Sequence, residues 1–197
     1  MTPDPRRIKT FKDEAAFERW LAQHHASWPE LWIKIHKVSS GLATVTPLQA
    51  IDVCLCWGWI DGQRKGLDER SFLQRYTPRG KKSLWSQINR DNVARLTRAG
   101  RMQPSGQREV DAAKADGRWD AAYAPMRDVS VDKLPADLRA AIAANPRAEK
   151  TLATLDKTNL FSLTFRVNGM RTPAGREKKI AALVATLASG KPIVPPR

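Results

Sequence analysis

The sequence predicts an α+β fold, with a small antiparallel sheet and flanking helices, followed by a helical C-terminal segment. Three observations predict it. Glu30–Lys37 alternates, with Leu31, Ile33 and Ile35 on one side and Lys34 and His36 on the other, as a half-buried strand does. Asp13–His25 instead carries Phe17, Trp20, Leu21 and His24 at helical spacing. Beyond Val129–Pro135 the composition turns alanine-rich and helical. Residues 1–125 are therefore read as an α+β core domain, 126–135 as a linker and 136–197 as a helical segment packed on the core.

In chain order, residues 1–7 read as a loose terminus and Arg7–Phe11 as a short strand. The Asp13–His25 helix places His24 on its apolar stripe, which suits a packed histidine better than a ligand. Ser39-Ser40-Gly41 marks a turn after the first long strand. Thr46-Pro47 is a helix start, with the hydroxyl as N-cap and proline at the first helical position. Leu48, Ile51 and Leu55 mark that helix's buried face, and Gly58 falls just past its end. Trp59–Lys65 and Ser71–Tyr76 read as antiparallel strands joined through Asp68-Glu69-Arg70. Ser83 is placed to cap a short turn through Trp85. Helices follow from Asn89 to Ala99 and from Ser105 to Gly117. After the linker come Ala136–Ala144, a start at Asn145-Pro146, and Ala174–Ser189, whose Ile180, Leu183, Val184 and Leu187 form a stripe. Asn159–Gly169 fits both periods; its helical neighbours favour a helix. Lys191–Arg197 is a proline-rich tail.

The totals restrict function. The chain has 197 residues, 42% hydrophobic and 27% charged, ordinary for a globular protein. Its net charge of +14 is not ordinary and points to an anionic partner, or to a solubility surface. Only two cysteines occur, Cys54 and Cys56, which excludes a disulfide framework and suits small buried residues. No apolar run approaches the ~20 residues of a membrane span. The N-terminus lacks an apolar signal core, so a cytoplasmic location is expected.

Charge and aromatics concentrate between Cys54 and Asn89. Residues 64–101 hold eleven Lys/Arg against three acids, +8 of the +14. Trp57, Trp59 and Trp85 lie in the same region, and at least one is expected to line an exposed cleft. The candidate ligand-binding set is Trp57, Trp59, Asp61, Arg75, Thr77, Arg79, Lys81, Lys82, Ser83, Trp85 and Asn89. Guanidinium and ammonium groups beside aromatic planes suit a planar or anionic ligand. Asp61, Arg75, Arg79 and Asn89 are expected on one concave surface.

Four stretches carry a resemblance: GWIDG (58–62), YTPRGKKSLWSQIN (76–89), GRM (100–102) and AKADGRWDAAY (113–123). They resemble the boxes of the bacteriocin-protection family, also called YdeI/OmpD-associated, whose members typically carry phenylalanine where Trp57 and Tyr76 stand here. The helix following Arg171-Thr172-Pro173 resembles the family's C-terminal helical segment. The resemblance implies an association with resistance to toxic proteins and stress. It implies no reaction and no catalytic residues.

The residues themselves leave several chemistries open. Gly80-Lys81-Lys82-Ser83 lacks the upstream glycine and the Ser/Thr position of a phosphate-binding loop. No GxSxG elbow occurs, and three histidines without a nearby cysteine or carboxylate pair make no zinc site. No metal and no cofactor are expected. Asp61 is the one weak catalytic candidate, as an acid/base on an anionic phosphorylated or carboxylated substrate. An Asp-Gly turn, or an ion pair with Arg79, explains it better. Ser83 and Ser86 suit capping better than nucleophilic attack. The leading reading is a noncatalytic protein binding an anionic partner in the Trp57–Asn89 cleft, which suits an anionic small molecule and a nucleic acid equally. The alternative is an enzyme acting on an anionic substrate with Asp61 as acid/base, and a protein-interaction module is a third reading. The sequence fixes neither the ligand nor the oligomeric state.

Overall fold

The computed structural model describes residues 3–170 and 172–195. The readings at residues 1–2, at Arg171 and at the last two tail positions lie outside them. The chain divides into two compact units, Met1–Ser83 with Asn89–Asp120, and Leu84–Ile88 with Ala121–Arg197.

The first unit is built on a four-stranded sheet of order β1-β2-β4-β3. The strands are β1 (Ile8–Lys9), β2 (Leu31–His36), β3 (Trp59–Asp68) and β4 (Ser71–Pro78). β2, β4 and β3 pair antiparallel as expected, but β1 runs parallel to β2, so the sheet is mixed. The 11-residue helix α1 (Glu14–His24) lies between β1 and β2 and supplies the crossover that parallel pairing needs.

Paired residues share a face. One face carries Leu31, Ile33 and Ile35 beside Tyr76, Gln74 and Phe72, and Trp59 and Asp61 at the β3 edge. α1 and α2 (Pro47–Trp57) cover that face. Phe17, Leu21, Ala50, Val53 and Cys54 join Leu31, Ile33, Ile35, Trp59 and Tyr76 in one buried cluster. The other face carries Trp32, Lys34, Leu73, Arg75 and Thr77.

α2 starts and stops as its sequence dictates. Thr46 and Gln49 form a reciprocal capping box, Pro47 opens the helix, and Gly58 closes it in the left-handed conformation at φ 77°. Behind α2 lie α3 (Gln87–Arg98) and α4 (Pro104–Ala115). Arg95 of α3 donates to both carboxylate oxygens of Asp52 at 2.7 Å. α4 begins one residue before Ser105, and Gln103 occupies its N-cap without a side-chain hydrogen bond.

The second unit holds α5 (Ala136–Ala143), α6 (Pro146–Leu152), α7 (Lys157–Asn168) and α8 (Pro173–Ala188). Asn145, Asp156 and Thr172 cap the last three through their side chains. Asn159–Gly169 is thus helical, and Leu160, Leu163 and Val167 are its buried stripe. Ile180, Leu183 and Leu187 are buried in the same cluster, with Val184 packed against it. The stretch read as a linker contributes Val129 and Leu134 to this core through two short 3-10 turns. Residues 84–88 belong here through Tyr123, whose amide donates to the Trp85 carbonyl and whose carbonyl accepts from Gln87. No helix among the described residues is long and apolar enough to cross a membrane.

Candidate functional site

The candidate residues distribute over both sheet faces and both units. Asp61 pairs with Tyr76 and lies on the helix-covered face; Arg75, the next residue along β4, lies on the opposite face. The two do not converge. Arg75 is engaged there, its Nε donating to Glu30 Oε2 at 2.7 Å. Thr77 shares that face. Asn89 lies in α3.

The tryptophans differ. Trp59 is 1% exposed, and its Nε1 donates to the His25 carbonyl at 3.2 Å. Trp85 is 2% exposed and belongs to the second unit. Both are core side chains. Trp57 is half-buried at the end of α2, against the His25 ring at 4.7 Å, with its indole N–H buried and unpartnered. Of the three, Trp57 alone reaches partial solvent exposure.

The basic turn after β4 is braced by hydrogen bonds. Arg79 is buried, and its amide donates to the Gly58 carbonyl at 2.9 Å. Ser83 accepts from the Gly80 amide through Oγ and donates its own amide to the Gly80 carbonyl. It therefore caps a turn, and α3 starts only at Gln87. Buried Arg118 donates to the Ser83 carbonyl, while its Nε is held by both oxygens of Asp116. Lys81 and Lys82 are exposed on this braced loop.

A second positioned cation is Arg64, which lay outside the sequence-based set. β3 bulges between Asp61 and Arg64, so Asp61-Gly62 is strand irregularity and not a hairpin turn. Buried Gln74 fills the bulge: its Nε2 donates to the Gly62 carbonyl at 2.8 Å, and its Oε1 accepts from Arg64 Nε at 2.9 Å. The guanidinium carbon of Arg64 sits 4.4 Å from the Phe72 ring centroid. No described carboxylate pairs with Arg64. Gln74, a polar residue at an inward strand position, was the available signal for this arrangement.

Below Asp61 lie two buried ionisable groups. Burial, then the nearby Asp61 charge, pushes the Cys54 thiol well above its ordinary value, and Arg79 opposes the shift. Burial likewise pushes the Tyr76 hydroxyl up, and its oxygen has no hydrogen-bond partner. Cys56 is raised to about 11, again chiefly by burial. Both thiols are thus protonated, poorly nucleophilic core groups. Asp61 is exposed, and its carboxylate makes no hydrogen bond or ion pair with a described residue; the Arg79 pairing is not made. No group of three or more His, Cys, Asp or Glu among the described residues could hold a metal ion.

Two family models match the chain. Residues 133–190 match Bacteriocin-protection, YdeI or OmpD-Associated. Residues 9–109 match a Domain of unknown function (DUF8412). The boxes at 58–62, 76–89 and 100–102 fall in the second match, and 113–123 in neither, so the bacteriocin-protection match covers the C-terminal part and not the whole chain. No curated protein and no solved structure matches.

Proposed function

We propose that this chain, which belongs to the DUF8412 family through residues 9–109 and matches the bacteriocin-protection (YdeI or OmpD-associated) family over residues 133–190, binds an anionic partner through the basic segment from Arg64 to Lys82. The observation that carries this is Arg64. Its guanidinium is oriented by buried Gln74 and by Phe72, and no described carboxylate forms an ion pair with it. A cation fixed before binding loses little side-chain freedom on binding. The exposed Lys81 and Lys82 on their braced turn support the same reading. The tryptophans support it less, since Trp59 and Trp85 are core.

Titration with pyrophosphate and with single- and double-stranded oligonucleotides tests it. Each neutralised duplex phosphate adds about −0.9 to the log–log salt slope, so three cations predict roughly −2 to −3. Arg64→Ala with Lys82→Ala should flatten the slope by nearly two units. No binding of any probe at ~50 mM salt, where attraction is little screened, would end the proposal.

The open Asp61 carboxylate favours a second reading, an acid/base acting on an anionic substrate close to Arg64. Turnover of phosphate or carboxylate esters that disappears in Asp61→Asn would support it. A panel on which the native protein and the variant are equally inert would not.

A further inference from the structure

Away from the basic turn, a cavity of about 360 Å³ opens beside β1, lined by Asp4, Arg6, Arg7, Ser27, Trp28 and Pro29. A volume at the low end of ligand pockets holds one ring system and one small charged group. Its wall chemistry divides in the same way. Trp28 supplies an aromatic surface, fixed edge-on against Trp20 with centroids 4.9 Å apart and planes at 85°. The ammonium of Lys9 stands 5.7 Å from the Trp28 ring centroid.

The cations are not equivalent. Asp4 caps the short 3-10 turn Pro5–Arg7 and binds the Arg6 guanidinium through both oxygens, so Arg6 arrives neutralised. The side chain of Arg7 makes no hydrogen bond or ion pair with a described residue, and neither does Lys9. One acid thus faces three cations around one indole. Parallel pairing of Ile8 with Trp32 and Lys9 with Ile33 fixes the segment that presents them.

We propose that this cavity is a binding site for a planar ring bearing a single anionic group, a phosphate or a carboxylate. The ring lies against Trp28, and the anion takes the donors of Arg7, with Lys9 adding its charge. The site is separate in the fold from the Arg64–Lys82 segment and does not depend on it.

Adenosine 5′-monophosphate is the probe, followed by titration calorimetry beside adenosine and inorganic phosphate. The nucleotide should bind more tightly than either fragment. Arg7→Gln should weaken the nucleotide about tenfold, the loss of one charge-assisted contact, and leave adenosine unchanged. Trp28→Ala should weaken nucleotide and adenosine together, while Trp28→Phe keeps a ring against Trp20 and retains most of the affinity. Because Trp28→Ala also disturbs packing, the Arg7 variant, at a half-buried position whose side chain makes no hydrogen bond or ion pair with a described residue, carries the decision. Lys178→Ala, which removes an exposed charge outside both sites, should leave nucleotide binding intact. The proposal is overturned by any of three results. One is no heat from the nucleotide up to ~10 mM, below which any useful site would saturate. Another is phosphate binding as tightly as the nucleotide. The last is nucleotide affinity that follows Lys82 and ignores Arg7.

Discussion

Gly106 sits in α4 against the Cys56 carbonyl of α2, and a methyl group built there would lie 2.1 Å from that oxygen. The obstacle is backbone, so it cannot be relieved by a rotamer change. Gly106→Ala should therefore force the two helices apart and lower stability by about 2–3 kcal/mol, read from the urea midpoint. Gln74 is a second residue whose role is local. Gln74→Ala strips a partner from the Gly62 carbonyl and from Arg64 together. It should cost about 1–3 kcal/mol and weaken anion binding, whereas Phe72→Leu should affect binding more than folding. A Gln74→Ala protein with unchanged affinity would detach Arg64 from the proposed site. Asp61 and Arg75 show why the candidate site was only partly legible. Their residue types are visible in the sequence, but the face each occupies follows from the β3–β4 register and the bulge after Asp61. Register is a tertiary property that one strand's pattern does not contain. The same holds for Trp59 and Trp85, since an indole is core or cleft according to what packs on it.

Among the elements, helix ends were the most legible, because caps are chemical. Thr46-Pro47 and Gly58 bracket α2 as read, and Thr46→Ala should cost about 1 kcal/mol in a thermal melt. α7 was ambiguous because Phe161, Leu163 and Phe165 alternate while Leu160, Leu163 and Val167 repeat helically. The Asp156 side chain accepting from the Asn159 amide was the overlooked signal. β1 was placed, but its parallel partner lies across a helix, and pairing direction is not written in two residues. α5 and α8 are joined by the Arg176–Asp137 pair. That arginine holds the Asp137 carboxyl below its ordinary value. A depressed carboxylate stabilises the fold above its unfolded pKa and ceases to as pH falls through the folded one. Melting temperature should thus be flat down to about pH 5 and fall below about pH 4, less steeply in Asp137→Asn. The pair is half exposed, so salt should shrink the difference.

For the whole molecule, a net charge of +14 implies self-repulsion in the compact state. Raising sodium chloride from ~20 to ~500 mM shortens the screening length severalfold and should raise the melting temperature. A melting temperature independent of salt would mean that the pairs at Asp52, Glu14, Glu30 and Asp137 already offset the excess. The bipartite core is a second property at this scale. Buried clusters centred on Tyr76 and on Leu163 draw on separate residues. Yet the units are not consecutive in sequence. Residues 84–88 are lent to the second unit from within the first, so the polypeptide passes between units at 83/84, 88/89 and 120/121. A single scission therefore liberates neither unit whole. Cutting after Asp120 strands Trp85 without the Tyr123 backbone that pairs with it, and cutting before Leu84 takes two helices from the first unit.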